Sequence, residues 1–149
     1  MNVIQTGGEP VTGYSGTVLA AAAAGGHGLK ESIQDYMRES HVMCEDKGIQ
    51  DGWAGAAAAF CGSLRENVTA VWITDNGSED CACFNKLRGI RAVLGDKPVR
   101  VMLGRQENDC NVLVLDYAEN GFGVNMESVL KMLTTDFCTD YSRILEQLK

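Results

Sequence analysis

The chain is short of basic residues, short of histidine, and has no apolar run of membrane-spanning length. Lys and Arg number 13 against 20 Asp and Glu, a formal net charge of -7. A nucleic-acid surface needs a basic face, so that class of partner is excluded. A small anion is not, because one or two placed Arg side chains can hold a phosphate whatever the net charge. Histidine occurs only as His27 and His41, and Cys81-Ala-Cys83 has no second close cysteine pair. The four Cys/His ligands of a zinc site are therefore not assembled, and no metal is expected. The apolar run at residues 18–24 is short, alanine-heavy and lacks a basic start. It reads as a buried first strand, not as a signal peptide or membrane span. A cytoplasmic location follows as an expectation, with the six cysteines as free, mostly buried thiols. Neither G-x-G-x-x-G nor a P-loop is present, which disfavours a flavodoxin-like domain for nucleotide or flavin.

What is present has a regular rhythm. Residues 71–74, 90–94 and 112–115 are apolar runs of strand length, and residues 79–87 and 97–106 between them suit helices. Strand, helix, strand, helix, strand predicts a parallel sheet with crossover helices. Upstream, a strand at 17–24 leads through Gly25-Gly26-His27-Gly28 into a helix at 29–40, with Leu29, Ile33, Tyr36 and Met37 at helical spacing. Free N–H groups at such a helix start can cradle an anion. A strand at 41–45, a turn at Asp46-Lys47-Gly48 and an alanine-rich helix at 53–65 follow. Helices at 122–133 and 136–148 close the chain. At 149 residues and 45% hydrophobic content, one domain is expected. It is predicted as a three-layer α/β/α sandwich around a five-stranded, parallel, doubly wound, Rossmann-like sheet over 17–149, preceded by an arm at 1–16. Ligands of such sheets sit at the carboxyl ends of the strands, which draws attention to Thr74-Asp75-Asn76-Gly77-Ser78.

Two motifs narrow the reading. Asn85-Lys86-Leu87-Arg88-Gly89-Ile90-Arg91-Ala92 resembles the N-K-x-x-G-I-R-A segment of the ribose-5-phosphate isomerase B / galactose-6-phosphate isomerase family. Arg105-Gln106-Glu107-Asn108-Asp109-Cys110-Asn111-Val112-Leu113 resembles that family's R-x-H-N-D-x-N-V-L at the same spacing. The resemblance implies aldose–ketose isomerisation of a sugar phosphate through an enediolate. The pair would be ribose 5-phosphate/ribulose 5-phosphate or galactose 6-phosphate/tagatose 6-phosphate. It further implies no cofactor and a homodimer or homotetramer, or pairing with an unlike paralogous subunit. By the same resemblance the catalytic positions fall on Thr74, Asp75 and Glu107. Substrate or phosphate contacts fall on His27, Asn76, Gly77, Asn108 and Arg143.

The departures from the pattern matter chemically. Thr74 stands where the family carries its Cys base, and a Thr hydroxyl has too high a pKa to take a carbon-bound proton unaided. Asp75 or Glu79 is then the candidate base, and Glu107, at the family's His position, the ring-opening proton shuttle. The family's first-turn Asp falls on Gly25 or Gly26. Acidic Glu79 and Asp80 beside an anion hole would oppose a forming oxyanion. The alternative is therefore a catalytically inactive member serving as a binding or structural subunit of a hetero-oligomer.

Overall fold

A computed structural model of the chain describes residues 14–138. Arg143, the arm up to residue 13 and most of the predicted last helix lie outside them, and residues 136–138 are not helical. The strands are β1 (Thr17–Ala22), β2 (Met43–Ile49), β3 (Val68–Thr74), β4 (Ala92–Leu94) and β5 (Val112–Asp116). The helices are α1 (His27–Glu39), α2 (Trp53–Phe60), α3 (Gly77–Phe84), α4 (Pro98–Asn108) and α5 (Phe122–Thr134), with a short 3-10 turn, Ala24–Gly26, before α1.

All four strand pairings are parallel, in the order β2-β1-β3-β5-β4. β3 and β5 are buried at every position, as strands covered on both faces require. Right-handed crossovers then decide where the helices go. The steps β1 to β2 and β4 to β5 run one way along the sheet; β2 to β3 and β3 to β4 run the other. Accordingly α1 and α4 share a face with α5, while α2 and α3 cover the opposite one. The pleat sends alternate residues to each face. Val71, Ile73, Leu113 and Leu115 join Ile33, Met37, Val101 and Met126. Ala70, Trp72, Val112 and Val114 join Ala56, Phe60 and Phe84. Trp72 is fully buried, and its indole N–H donates to the buried Asp80 carboxylate at 2.8 Å, which fixes α3 on the sheet.

Three boundaries differ from expectation for identifiable reasons. Asp46-Lys47-Gly48 is not a turn but part of β2. The register passes from Ala20↔Asp46 to Ala21↔Gly48, so Lys47 is the extra residue of a bulge. Gly48 takes φ +79, which only glycine adopts without strain, and its N–H is capped by Asp46 Oδ1 at 2.7 Å. The alanine-rich helix stops at Phe60, not at residue 65. Cys61 (φ -58, ψ 135) and Gly62 (φ +84) form a type II turn closed by the Ser63 N–H donating to the Phe60 carbonyl at 3.0 Å. β4 begins at Ala92, not Ile90, because the residues before it are held by side-chain amides. Asn85 brackets Ala92, accepting its N–H at 2.7 Å and donating to its carbonyl at 3.0 Å. Asn111 likewise accepts the Arg91 N–H at 2.8 Å and donates to the Gly89 carbonyl at 2.9 Å.

The cysteines are all unpaired, but only Cys110 is buried; Cys61 and Cys138 are exposed, Cys61 because it sits in the turn that ends α2. Among the described residues no helix is long and apolar enough to cross a membrane.

Lys30 of α1 is buried, and its ammonium donates to Asp46 Oδ1 at 2.7 Å. That bond, above the other influences, holds the Asp46 carboxyl down at about 2. A carboxyl depressed in the folded state contributes stability that is present above its unfolded value, 3.8, and lost as pH falls through about 2. The Asp46→Asn variant should therefore be less stable than wild type at pH 7, by roughly 1–2 kcal/mol after discounting for the half-exposed carboxylate. In urea titrations the gap should close as pH is lowered from 4 to 2; a gap independent of pH would show that the pair contributes no linkage.

Candidate active site

The site is built at the carboxyl end of the sheet, where β3 and β5 finish side by side with Thr74 in register with Asp116. Thr74 is buried, and its Oγ1 accepts the Asn76 N–H at 3.1 Å. The hydroxyl thus shapes the turn that leaves the strand. The Asn76 amide donates to Glu79 Oε2 at 2.9 Å and does not cap α3.

The cap comes from another strand. Asp116 Oδ2 accepts the Gly77 N–H at 2.9 Å, while Oδ1 accepts the N–H groups of Ala118 and Glu119, both at 2.9 Å. A free N–H at a helix start is where a ligand anion would be held; here a resident carboxylate, itself buried, occupies it. Gly77 permits the approach, since a Cβ there would lie 2.9 Å from both Asp116 Cβ and Leu94 Cδ1. Beside this pair opens a cleft of about 430 Å³, lined by Asp75, Asn76, Gly77, Ser78, Leu94, Asp96, Asp116, Glu119 and Asn120. Its wall carries four carboxylates and no cation; Asp96 is paired outward with Arg100 Nε at 2.8 Å.

Tyr117, next to Asp116, was not singled out by the sequence reading. Its backbone N–H donates to the Thr74 carbonyl at 3.0 Å. Its ring is half-buried and lies over Gly25, where a Cβ would come within 2.7 Å of the ring carbon Cζ. The phenol pKa is raised, first by burial and then by the charges of Asp75 and Asp116.

Of the predicted site residues, Thr74, Asp75, Asn76 and Gly77 are together at this end. His27, the first residue of α1, is at the same end, but its Nε2 turns to Glu31 Oε1 at 2.6 Å on the exposed face of the helix, outside the cleft. Glu107 and Asn108 form the last turn of α4, which leads into the start of β5. They are therefore at the amino end of the strands, on the order of 13 Å along β5 from Asp116. A single chain does not bring Glu107 to Thr74. Glu79 is exposed and engaged with Asn76; Asp80 is turned inward to Trp72. Among the described residues no group of three or more His, Cys, Asp or Glu is placed to hold a metal ion.

Asp116 and Tyr117 had one usable signal. They directly follow the apolar run of a central strand, at the edge where parallel sheets hold ligands.

Comparison with known proteins agrees with this architecture. The family model described as Ribose/Galactose Isomerase matches residues 18–148. Among solved structures, type B ribose 5-phosphate isomerase from Trypanosoma brucei is 26% identical, with 89% of this chain and 94% of that one covered and a TM-score of 0.73. Ribose-5-phosphate isomerase B from Mycoplasma genitalium, with bound ribulose-5-phosphate, is 21% identical (91% and 95% covered, TM-score 0.79). That from Anaplasma phagocytophilum is 18% identical (93% and 99% covered, TM-score 0.81). No curated protein matches. With the family model spanning all but the first residues and the last, and with the same five-stranded parallel sheet between two helical layers, the chain belongs to the ribose/galactose isomerase family.

Proposed function

We propose that the protein interconverts an aldose phosphate and a ketose phosphate by moving a proton through an enediolate, with Asp75 as the base. The observation that carries this reading is the Asp75 carboxylate: exposed, one residue past the end of β3, and lining the cleft. A carboxylate there can take the proton that Thr74 cannot. The substrate class is ribose 5-phosphate/ribulose 5-phosphate or galactose 6-phosphate/tagatose 6-phosphate; the ribulose-5-phosphate bound to the Mycoplasma genitalium relative supports the pentose pair. The reaction shifts hydrogen within one molecule, so it calls for no cofactor.

Thr74 shapes the turn, and Asn76 and Gly77 border the sugar. His27, at the same end, would serve the phosphate only by leaving Glu31. Glu107, Asn108 and Arg143 contribute from a second subunit in a homodimer or homotetramer, because a rigid sheet keeps the first two from the Thr74 end of their own chain. The enzyme works in the cytoplasm.

Asp116 favours a second reading. A fixed carboxylate at the start of α3 opposes an oxyanion forming beside it. In that case the chain is a non-catalytic subunit that pairs with a paralogue and contributes binding or structure.

A coupled assay with both sugar phosphates separates the readings. Wild type should turn over one of them, and Asp75→Asn should lower kcat about 10²–10⁴-fold with an unchanged melting temperature. No turnover alone, restored by a paralogous chain, would favour the second reading. Asp116→Ala strips acceptors from three N–H groups and should cost about 2–4 kcal/mol in denaturant titrations. It should also free the Gly77 N–H and tighten binding of inorganic phosphate, read by calorimetry at a temperature where the variant is folded. Unchanged phosphate affinity would mean that Asp116 does not guard that position.

A further inference from the structure

β3 lies between β1 and β5 in the sheet. Tyr117 leaves the end of β5, anchored by its N–H on the Thr74 carbonyl, and its phenol reaches the turn after β1, over Gly25. The ring therefore crosses the carboxyl end of β3, above Thr74 and Asp75. The crossing depends on glycine at position 25, since any side chain there would strike the ring. It also coincides with the loss of other donors at this end. The Gly77 N–H is held by Asp116 and the Asn76 amide by Glu79.

We propose that Tyr117 is a catalytic residue of this site: its phenol donates to the carbonyl oxygen of the open-chain sugar while Asp75 carries the proton between the adjacent carbons. The proposal rests on the isomerase reading and adds the group that reading lacks, a donor to the developing oxyanion. The neighbouring carboxylates and burial keep the phenol protonated at neutral pH, which suits a donor and not a base.

The step balances within the substrate and two side chains. Asp75 takes the hydrogen from the carbon beside the carbonyl, and the C–H pair becomes the C=C bond of the enediol. The carbonyl π pair moves to oxygen, which takes the Tyr117 proton. The neighbouring hydroxyl then returns a proton to the phenolate, and its O–H pair becomes the new C=O bond. The C=C pair collects the proton held by Asp75 at the other carbon. Ketose leaves with both side chains restored, and no oxidant or reductant takes part.

Tyr117→Phe keeps the ring over Gly25 and removes only the hydroxyl. It should lower kcat about 10²-fold with KM nearly unchanged. Wild-type kcat in Y117F, or a raised KM at unchanged kcat, would overturn the assignment even where D75N is inactive and the isomerase reading stands. Gly25→Ala, which displaces the ring, should also lower kcat; faster turnover would make Tyr117 an obstruction and overturn the proposal. If wild type turns over neither sugar phosphate, the isomerase reading fails, and the donor role is then read by binding. A phosphorylated hydroxamate, which mimics the enediolate, should bind wild type at least about tenfold more tightly than Y117F, one charge-assisted hydrogen bond's worth. Equal affinity, or binding to neither, would overturn it.

Discussion

The Asp116 carboxylate joins the end of one strand to the start of a helix 39 residues earlier, and the chemistry at the carboxyl end of the sheet follows from it. It accepts from Gly77 on one oxygen and from Ala118 and Glu119 on the other. Charge-assisted hydrogen bonds of this kind are stronger than neutral ones, and the helix dipole of α3 adds to them. The result fixes α3 against β5, demands glycine at position 77, and turns a position suited to a mobile anion into one already neutralised. In the proposed isomerisation, a substrate oxyanion at this end takes its donor from elsewhere. The phenol that lies across the end of β3 is the group the fold offers.

The residues that reveal the family are structural, and the residues that depart from it are chemical. Asn85 and Asn111 hold the backbone on either side of the Gly89–Arg91 segment. Arg105 binds the Cys110 carbonyl at 2.6 Å and Asp109 Oδ1 at 3.1 Å, and Arg91 Nε binds the Asp109 carbonyl at 2.7 Å. These bonds pin the short edge strand β4 and the left-handed Asp109 that ends α4 (φ 50). Breaking any but the Arg105–Asp109 side-chain bond would unpair backbone groups, so the motif is tied to the sheet whatever reaction the other end performs. The carboxyl ends of the strands are held by different bonds, chiefly those of Asp116. There β3 ends in Thr74 and a phenol lies over glycine, and the fold alone does not fix the chemistry.

This division explains how much was legible in the sequence. β3 and β5 were readable because burial on two faces gives an unbroken apolar run, and α1 because one buried stripe imposes a helical period. The bulge in β2 and the stop of α2 were missed because both depend on a glycine at positive φ, Gly48 or Gly62, a conformation that a glycine permits without announcing. Asp75, Asn76 and Gly77 were placed correctly at the end of a strand. Asp116 and Tyr117 were not singled out, since their distant partners come from other strands' turns: Gly77 after β3 for one, Gly25 after β1 for the other. No local pattern in Leu-Asp-Tyr-Ala distinguishes a capping carboxylate from an ordinary strand end.

The position of Glu107 follows from topology, not from side-chain choice. In a parallel sheet every crossover helix starts at the carboxyl end and finishes at the amino end, so the last turn of α4 is fixed at the far edge from Thr74. No rotamer change or loop movement spans the length of β5, and the sheet between is packed on both faces. Chemistry that used Glu107 together with Thr74 would therefore have to be shared between two chains, whereas Asp75 and Tyr117 lie at the same end of one. In the proposed reaction, a base and a donor on a single chain would make the proton transfer independent of how subunits are aligned. On the same proposal, a second subunit would grip the far end of the substrate, where an error of placement lowers affinity before it lowers rate.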